Sequence, residues 1–288
     1  MSFSSQVKEE LSRHISNARH CQIAELAAML HYCGVYGRDE EGRYTIGFVS
    51  ENETVVRKGF TLLKKTYIID IGMPMGEEEM QVFMAKIGDL DKPVSPILLK
   101  SSCCKRAFLR GAFLSVGSIS DPQKQYHLEF VCPDEPKARQ LQEVIQTFDI
   151  EAKIVQRKKY FVVYLKEGSG IVDLLNVCEA HVALMELENL RILKEMRNSI
   201  NRRVNCEAAN ITKTVNAATR QIEDIIYIRD KYGFENLPES LRQMAEVRLE
   251  YPDAPLKELG SYLEPPVGKS GVNHRLRKLS ELAENIRL

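Results

Sequence analysis

Apolar and small residues recur at matching positions within the first 180 residues. The stretch 21–34 can be laid on 104–117 at a constant offset of 83, with identical residues at Cys21/Cys104, Ala24/Ala107, Leu26/Leu109 and Gly34/Gly117. Ala28 aligns with Gly111, so both copies have a small residue at this position. Each stretch predicts a helix whose small residues let the two backbones approach closely. We expect each final glycine to end its helix in a left-handed cap.

The match between the two copies continues after the alignment shifts by one residue. Strict alternation predicts a half-buried strand in both copies, at Tyr44, Ile46 and Phe48 and at Tyr126, Leu128 and Phe130. Asn52 falls on Asp134, and either side chain can cap a following helix. Further strands are predicted at Tyr67–Ile71, and as a hairpin at Ala152–Gln156 and Tyr160–Leu165. The pattern indicates two pseudo-repeats, about residues 20–100 and 103–180. The alternative is that two ordinary core helices resemble each other by chance.

From about residue 186 the strand patterns stop and helical patterns take over, which predicts domains at 1–185 and 186–288. A helix is expected at Pro238–Glu250, then a second helix capped by Asp253, then a turn and a third helix capped by Ser270. Three helices with a turn before a basic last helix predict a helix-turn-helix at about 238–288. A small helical bundle with a solvated basic end is the alternative.

Overall composition does not indicate a nucleic-acid partner, because 40 basic residues balance 40 acidic ones. Any such partner requires local segregation of charge. Seven cysteines, an odd number with no CxxC pair, argue against a disulfide framework or a zinc finger. The group His20, Cys21, His31 and Cys33 is interpreted as core thiols and a surface histidine, with a zinc site as the alternative. The Cys103–Cys104 pair is interpreted as structural. The first residues contain no apolar signal-peptide core and the sequence has no apolar run of about 18 residues, so we expect a cytoplasmic protein. Association with the nucleoid is expected only together with a DNA partner.

Positive charge is concentrated in two C-terminal stretches. Residues 191–220 hold seven basic and two acidic residues (7 − 2 = +5) together with five asparagines. Arg202 and Arg203 are candidate DNA contacts there, although a solvated linker helix explains the same pattern. Residues 269–278 hold four basic residues and no acidic ones. The candidate DNA-binding residues of this stretch, of which His274 could be a bystander, are Lys269, Ser270, Asn273, His274, Arg275, Arg277 and Lys278.

The two repeated helices resemble the LAGLIDADG motif of homing endonucleases, at Leu26–Gly34 and Leu109–Gly117. In that family the metal-binding carboxylate precedes the final glycine, where this chain has Cys33 and Val116. A thiol is a poor Mg²⁺ ligand and a valine is none. The resemblance therefore implies degenerate nuclease positions, with no catalytic residue and no metal. Because both carboxylates are replaced, we expect no enzymatic activity. Neither GxxxxGK[ST] nor GxGxxG occurs, so we expect no nucleotide cofactor.

Three further segments together resemble the WhiA family of bacterial regulators: residues 2–11, residues 201–210 and residues 268–277. The resemblance implies an α+β fold, with a duplicated LAGLIDADG-like α/β domain and an all-α helix-turn-helix domain. It also implies a transcription regulator tied to cell division, chromosome segregation or sporulation. The expected partner is double-stranded DNA, with another protein possible at the N-terminal domain and no membrane. An active homing-endonuclease-type DNase and a protein-interaction scaffold stay open as alternatives.

Overall fold

A computed structural model describes residues 2–69 and 72–287. The helices are α1 (Phe3–Arg13), α2 (Arg19–Cys33), α3 (Glu53–Tyr67), α4 (Glu77–Ile87), α5 (Ser102–Val116), α6 (Glu135–Gln146), α7 (Gly168–Val177), α8 (His181–Lys231), α9 (Glu239–Glu250), α10 (Leu256–Ser261) and α11 (Lys269–Arg287). The strands are β1 (Gly34–Arg38), β2 (Tyr44–Phe48), β3 (Gly117–Ile119), β4 (Leu128–Cys132), β5 (Lys153–Arg157) and β6 (Tyr160–Leu165). The chain divides into two compact units, Met1–Glu195 and Met196–Leu288, and the division falls within α8.

The first unit is built around the contact between α2 and α5, which we call the seam. A Cβ atom at Gly111 would lie 2.5 Å from the backbone oxygen of Glu25 and 2.9 Å from the Cβ of Ala28. The backbones therefore touch where the sequence places small residues, and the predicted close approach is confirmed. The core of this unit continues from the seam to the other helices and the strands.

The glycines at the ends of these helices have a different role from the predicted one. Gly34 has φ −75° and Gly117 has φ −80°, so both are extended and the predicted left-handed caps are wrong. Each glycine is the first residue of a strand. A Cβ atom would lie 2.4 Å from the Leu30 backbone oxygen at Gly34, and 2.6 Å from the Phe113 ring at Gly117. The sharp exit from helix to strand, rather than a positive φ, requires glycine.

The two copies build different sheets. In the second copy an antiparallel sheet has the order β3-β4-β6-β5, which confirms the predicted hairpin of β5 and β6. In the first copy β1 pairs with β2, and an isolated bridge joins Tyr44 to Met75. The predicted strand at Tyr67–Ile71 is wrong in its first half, because Tyr67 ends α3 and Ile68 is left-handed at φ 63°. Asp70 and Ile71 lie outside the described residues.

Both predicted caps of the repeat are confirmed. The Asn52 side chain accepts a hydrogen bond from the Thr54 backbone N–H at 3.0 Å, at the start of α3. The Asp134 side chain accepts one from the Lys137 N–H at 2.9 Å, at the start of α6. These side chains satisfy backbone donors that a helix leaves without internal partners. They fix the entry of the helix that covers each sheet.

A buried network of charged side chains crosses the seam. Glu25, fully buried on α2, forms ion pairs with Lys58 of α3 and with Arg110 of α5, whose Nε lies 3.2 Å from the carboxylate. The Arg110 Nη1 also lies 2.5 Å from the Glu179 carboxylate. Charges buried this deeply persist only when paired, because removing one partner leaves the other without water or counter-charge. The network therefore links the two copies at a position that tolerates little change.

In the second unit α9, α10 and α11 enclose an apolar core together with the end of α8. The predicted helix boundaries are close, but two of the predicted caps are wrong. Pro255, not Asp253, precedes α10, and it makes no side-chain cap. α11 begins at Lys269, so Ser270 lies inside its first turn. Among the described helices none is sufficiently long and apolar to cross a bilayer.

Candidate nucleic-acid interface

One side of α11 is buried and the other is open to solvent. Val272, Leu276, Leu279 and Ala283 are buried in the core of the second unit. The helical period of 3.6 residues then places Ser270, Asn273, His274 and Arg277 together on the opposite side, and all four are exposed. We call these four the exposed row of α11. Lys269 and Lys278 are exposed beside it.

The arginines of α11 differ in their surroundings. The Arg277 Nε lies 3.1 Å from the Glu281 carboxylate, and both side chains are more than half exposed. Such a surface pair contributes little stability, so the guanidinium can exchange its partner for a phosphate at small cost. Arg275 is half-buried instead, and its Nη1 donates to the Ser240 backbone oxygen at 3.4 Å. Arg275 thus lies outside the exposed row, at the flank that packs toward α9.

The turn before α11 is held by a close backbone contact. The Val267 N–H donates to the Gly260 oxygen at 2.9 Å, and a Cβ atom at Gly260 would lie 2.0 Å from the Val267 oxygen. Tyr251 and Tyr262 stack with their ring centroids 4.3 Å apart, beside the same turn. These contacts fix the direction in which α11 starts. Its first turn carries no acidic residue, which leaves the N-terminal amides available to a phosphate.

The middle of α8 is exposed on every side. All side chains from 195 to 217 are exposed, which includes the candidate residues Arg202 and Arg203. The Arg203 Nε forms a surface ion pair with Glu207 at 3.1 Å. Both interpretations of this stretch, a phosphate-contacting helix and a solvated linker, are compatible with such exposure.

The β5–β6 hairpin carries the basic residues of the second copy. Arg157 lies 3.3 Å from the Glu129 carboxylate and Lys153 lies 3.6 Å from Glu151, so part of its charge is neutralised locally. Lys158 and Lys159 are exposed at the turn. This surface is weaker in net positive charge than the sequence of the hairpin alone indicates.

The degenerate nuclease positions lie at the C-terminal ends of the seam helices. Cys33 is buried, and its Sγ donates to the Ser115 Oγ at 3.3 Å. Burial raises the pKa of Cys33, so the thiol stays neutral. Lys8 is close enough to interact electrostatically with Cys33, and burial lowers the pKa of this lysine. A neutral thiol, a hydroxyl, the alkyl group of Val116 and a nearby ammonium do not form a Mg²⁺ site, which needs oxygen anions.

No local pattern in the sequence indicated the buried network around Glu25. Its members lie far apart in the chain, and charged residues on a helix are usually solvated. The second feature that sequence reasoning missed is a convergence of His20, Cys21, Cys103 and Cys104, whose ligand atoms all lie within 4.8 Å of one another. The repeat itself was the available signal, because the offset of 83 places Cys21 on Cys104 and His20 on Cys103.

Three family models match the chain: the WhiA N-terminal LAGLIDADG-like domain at residues 19–75, the WhiA LAGLIDADG-like domain at 105–197 and the WhiA C-terminal HTH domain at 200–283. A probable cell division protein WhiA of Lachnoclostridium phytofermentans is 53% identical, with 100% of both chains covered. One of Alkaliphilus oremlandii is 47% identical, with 99% of this chain and 98% of that protein covered. The crystal structure of full-length DUF199/WhiA from Thermatoga maritima is similar, with a TM-score of 0.60, 27% identity and 99% of each chain covered.

Proposed function

The chain belongs to the WhiA family, and from this premise we propose that it is a DNA-binding transcription regulator of cell division without nuclease activity. The observation that carries the proposal is the exposed row of α11. It combines hydrogen-bonding and cationic side chains on one helix face of a helix-turn-helix unit. Such a helix fits the major groove of B-DNA.

Different side chains of α11 would have different tasks in a complex. Asn273 and Arg277 can reach base edges, for which amide and guanidinium groups are suited. Lys269, Lys278 and the amides of the first turn can bind phosphates, which sets position and affinity. His274 lies in the same row and can serve either task. Arg275, whose Nη1 donates to the Ser240 backbone oxygen beside the row, would hold α11 against α9 and contact DNA only at the edge of the interface.

Salt dependence of binding to duplex DNA, followed by fluorescence anisotropy, tests this proposal. We expect the affinity to fall steeply with salt, and the logarithmic slope to become shallower by about 1 for each phosphate contact removed. The double substitution Lys269→Ala and Lys278→Ala should reduce the slope. Lys86→Ala with Lys92→Ala, a matched pair of exposed lysines in the first unit, should not. Absence of binding at low salt would instead favour a protein-interaction scaffold.

The absence of nuclease activity is proposed from the chemistry at Cys33 and Val116. Supercoiled plasmid incubated with the protein and Mg²⁺ or Mn²⁺ should stay intact. Cleavage that follows the protein through purification would contradict this part of the proposal, while leaving DNA binding in place.

The cellular role is proposed from the family. The relatives are named probable cell division proteins. We extend the proposal to chromosome segregation or sporulation, which the resemblance of the sequence to the WhiA family implies. Genome-wide crosslinking of the protein to DNA should recover promoter sequences, as expected for a cytoplasmic protein bound to the nucleoid. We further propose that the first unit offers a docking surface to a protein partner, with Lys158 and Lys159 as a second, weaker DNA contact.

A further inference from the structure

Four side chains of the types that bind soft metals converge where the seam helices begin. They are His20 and Cys21 of α2 and Cys103 and Cys104 of α5, and we call them the thiol cluster. The His20 Nδ1 lies 3.2 Å from the Cys104 Sγ and 3.4 Å from the Cys21 Sγ. Each copy of the repeat contributes two adjacent residues, so the cluster is as symmetric as the seam itself.

The spacing of these atoms suits a tetrahedral metal ion. Zinc–sulfur bonds of about 2.3 Å and zinc–nitrogen bonds of about 2.0 Å imply ligand atoms roughly 3.5 to 3.8 Å apart. Both His20 distances are close to that range, and all four ligand atoms already lie within 4.8 Å of one another. Small rotamer changes of the four side chains, of which His20 and Cys103 are exposed, would bring the ligand atoms to tetrahedral geometry.

The N-terminal ends of α2 and α5 favour a nearby negative charge. Neither Ala18 nor Ser101 makes a side-chain cap, and neither helix has an acidic residue in its first turn. Arg19 and Lys105 lie in these first turns, and Arg106 follows directly after. Helix N-termini favour anions, so basic residues at both are unfavourable unless a negative group lies nearby. A metal ion held by three thiolates and one neutral imidazole has a net charge of −1, which supplies that group.

The surroundings are also those of a built site. Cys21 and Cys104 are buried with Ala24 and Ala107 in a small apolar cluster separate from the main core. His20 and Cys103 are exposed, which gives an ion a path from solvent. The degenerate nuclease positions lie at the opposite ends of the same helices, so the two features are independent.

We propose that the thiol cluster binds one Zn²⁺ ion, or another thiophilic divalent cation, that joins the two copies. Binding releases the protons of the three thiols to solvent and forms three Zn–S bonds and one bond to the His20 Nδ1, with no change of oxidation state. This differs from the sequence prediction of structural thiols. That prediction rested on spacing within the chain, whereas the ligands are two pairs brought together by the fold.

Metal analysis of the purified full-length chain tests the proposal. We expect about one equivalent of zinc per chain after removal of loosely bound metal. Cys103→Ser should lose it, while Cys206→Ser, which also alters an exposed cysteine, should retain it. Replacement by Co²⁺ should give the visible absorption of tetrahedral cobalt with sulfur ligands. This spectrum should vanish in Cys103→Ser and weaken in His20→Ala.

Circular dichroism of each variant establishes that it has folded, so loss of metal is not confused with loss of structure. No stoichiometric zinc and no cobalt spectrum in the folded wild-type protein would overturn the proposal. So would a cobalt spectrum unchanged by Cys103→Ser. Peptide mapping without reductant adds a separate outcome: a disulfide between Cys21 and Cys103 or Cys104 in protein from a reducing cytosol would also overturn it.

Discussion

The two copies of the first unit share their helices and differ in their sheets. Between α6 and α7, residues 147–167 hold β5 and β6, whereas between α3 and α4 only residues 68–76 connect the helices. The comparison teaches that the seam restricts sequence, because the helix backbones touch there, while the segments between the later helices differ in length between the copies.

Matching positions also differ in the side chains that they bury. His31 of the first copy corresponds to Leu114 of the second, and both are buried. Gly59 of α3 corresponds to Leu141 of α6, and a Cβ atom at Gly59 would lie 2.6 Å from the Phe48 ring. The first copy thus places a ring against helix backbone where the second copy packs a leucine. Four substitutions sharpen or break this comparison.

The largest effect is expected at the charge network shared by both copies. Glu25→Ala leaves Lys58 and Arg110 buried without their common carboxylate, which should cost about 3–5 kcal/mol of unfolding free energy. Hydrogen exchange measured by mass spectrometry should show lost protection in α2 and α5 together. Glu40→Ala, in the exposed turn of the first copy, is the control and should change little. Loss of protection in one copy alone would show that the network does not couple them.

A smaller loss is expected from filling the seam. Gly111→Ala places a methyl group 2.5 Å from the Glu25 backbone oxygen, so the helices must separate. Overpacking of this kind costs about 1–3 kcal/mol. Thermal unfolding should show a lower melting temperature, whereas Gly37→Ala, where the nearest atom lies 4.0 Å away, should leave it near the wild-type value. Equal behaviour of the two variants would contradict the close approach.

Acidification should weaken the first copy more than the second. Burial lowers the pKa of His31, although its Nδ1 lies 2.7 Å from the Lys92 backbone oxygen and its Nε2 3.3 Å from that of Ile87. Because the folded pKa is below the ordinary value of about 6.5, the unfolded chain takes up the proton first. The stability that the neutral ring contributes is therefore complete above that value and declines as the pH falls below it.

Hydrogen exchange of the α4 peptides, corrected for intrinsic rates, measures this effect at pH 5.5 and 7.5, values on either side of about 6.5. Protection should decrease at the lower pH in the wild type. His31→Leu, which installs the residue of the second copy, should remove the difference. The pKa of His14 is also lowered, chiefly by burial and by Arg110, but this residue lies in the segment after α1, so a local readout at α4 separates the two. If His31→Leu kept the same pH dependence, another titrating group would be its cause.

The smallest effect is expected in the β5–β6 hairpin, which has no counterpart among the described residues between α3 and α4. Arg157→Ala removes an exposed pair with Glu129, and such pairs contribute less than about 1 kcal/mol. Urea unfolding should detect little change. A loss comparable with that of Gly111→Ala would mean that the hairpin is a structural requirement, and the comparison of the sheets would have to be revised.

The sequence predicted those features that repeat or alternate locally. The strands that contain Phe48 and Phe130 and the caps at Asn52 and Asp134 follow from spacing within a few residues, and the seam follows from the repeat at an offset of 83. The predicted helix caps at Gly34, Asp253 and Ser270 were wrong. Each residue is of a type that is common at helix ends, but packing set the backbone geometry there. The network at Glu25 and the thiol cluster join residues more than thirty and eighty positions apart, for example Glu25 to Lys58 and His20 to Cys104. Periodicity carries no information about such contacts.

The exposed middle of α8 has a consequence for how the chain responds to disturbance. A helical segment whose side chains all face water depends on its own main-chain hydrogen bonds, and five asparagines weaken it further. We therefore expect local melting to begin at residues 195–217 and a protease to cut there first. DNA phosphates bound by the arginines of this segment would stabilise the helix. The resistance of the segment to trypsin therefore measures the fraction of it that is bound to DNA.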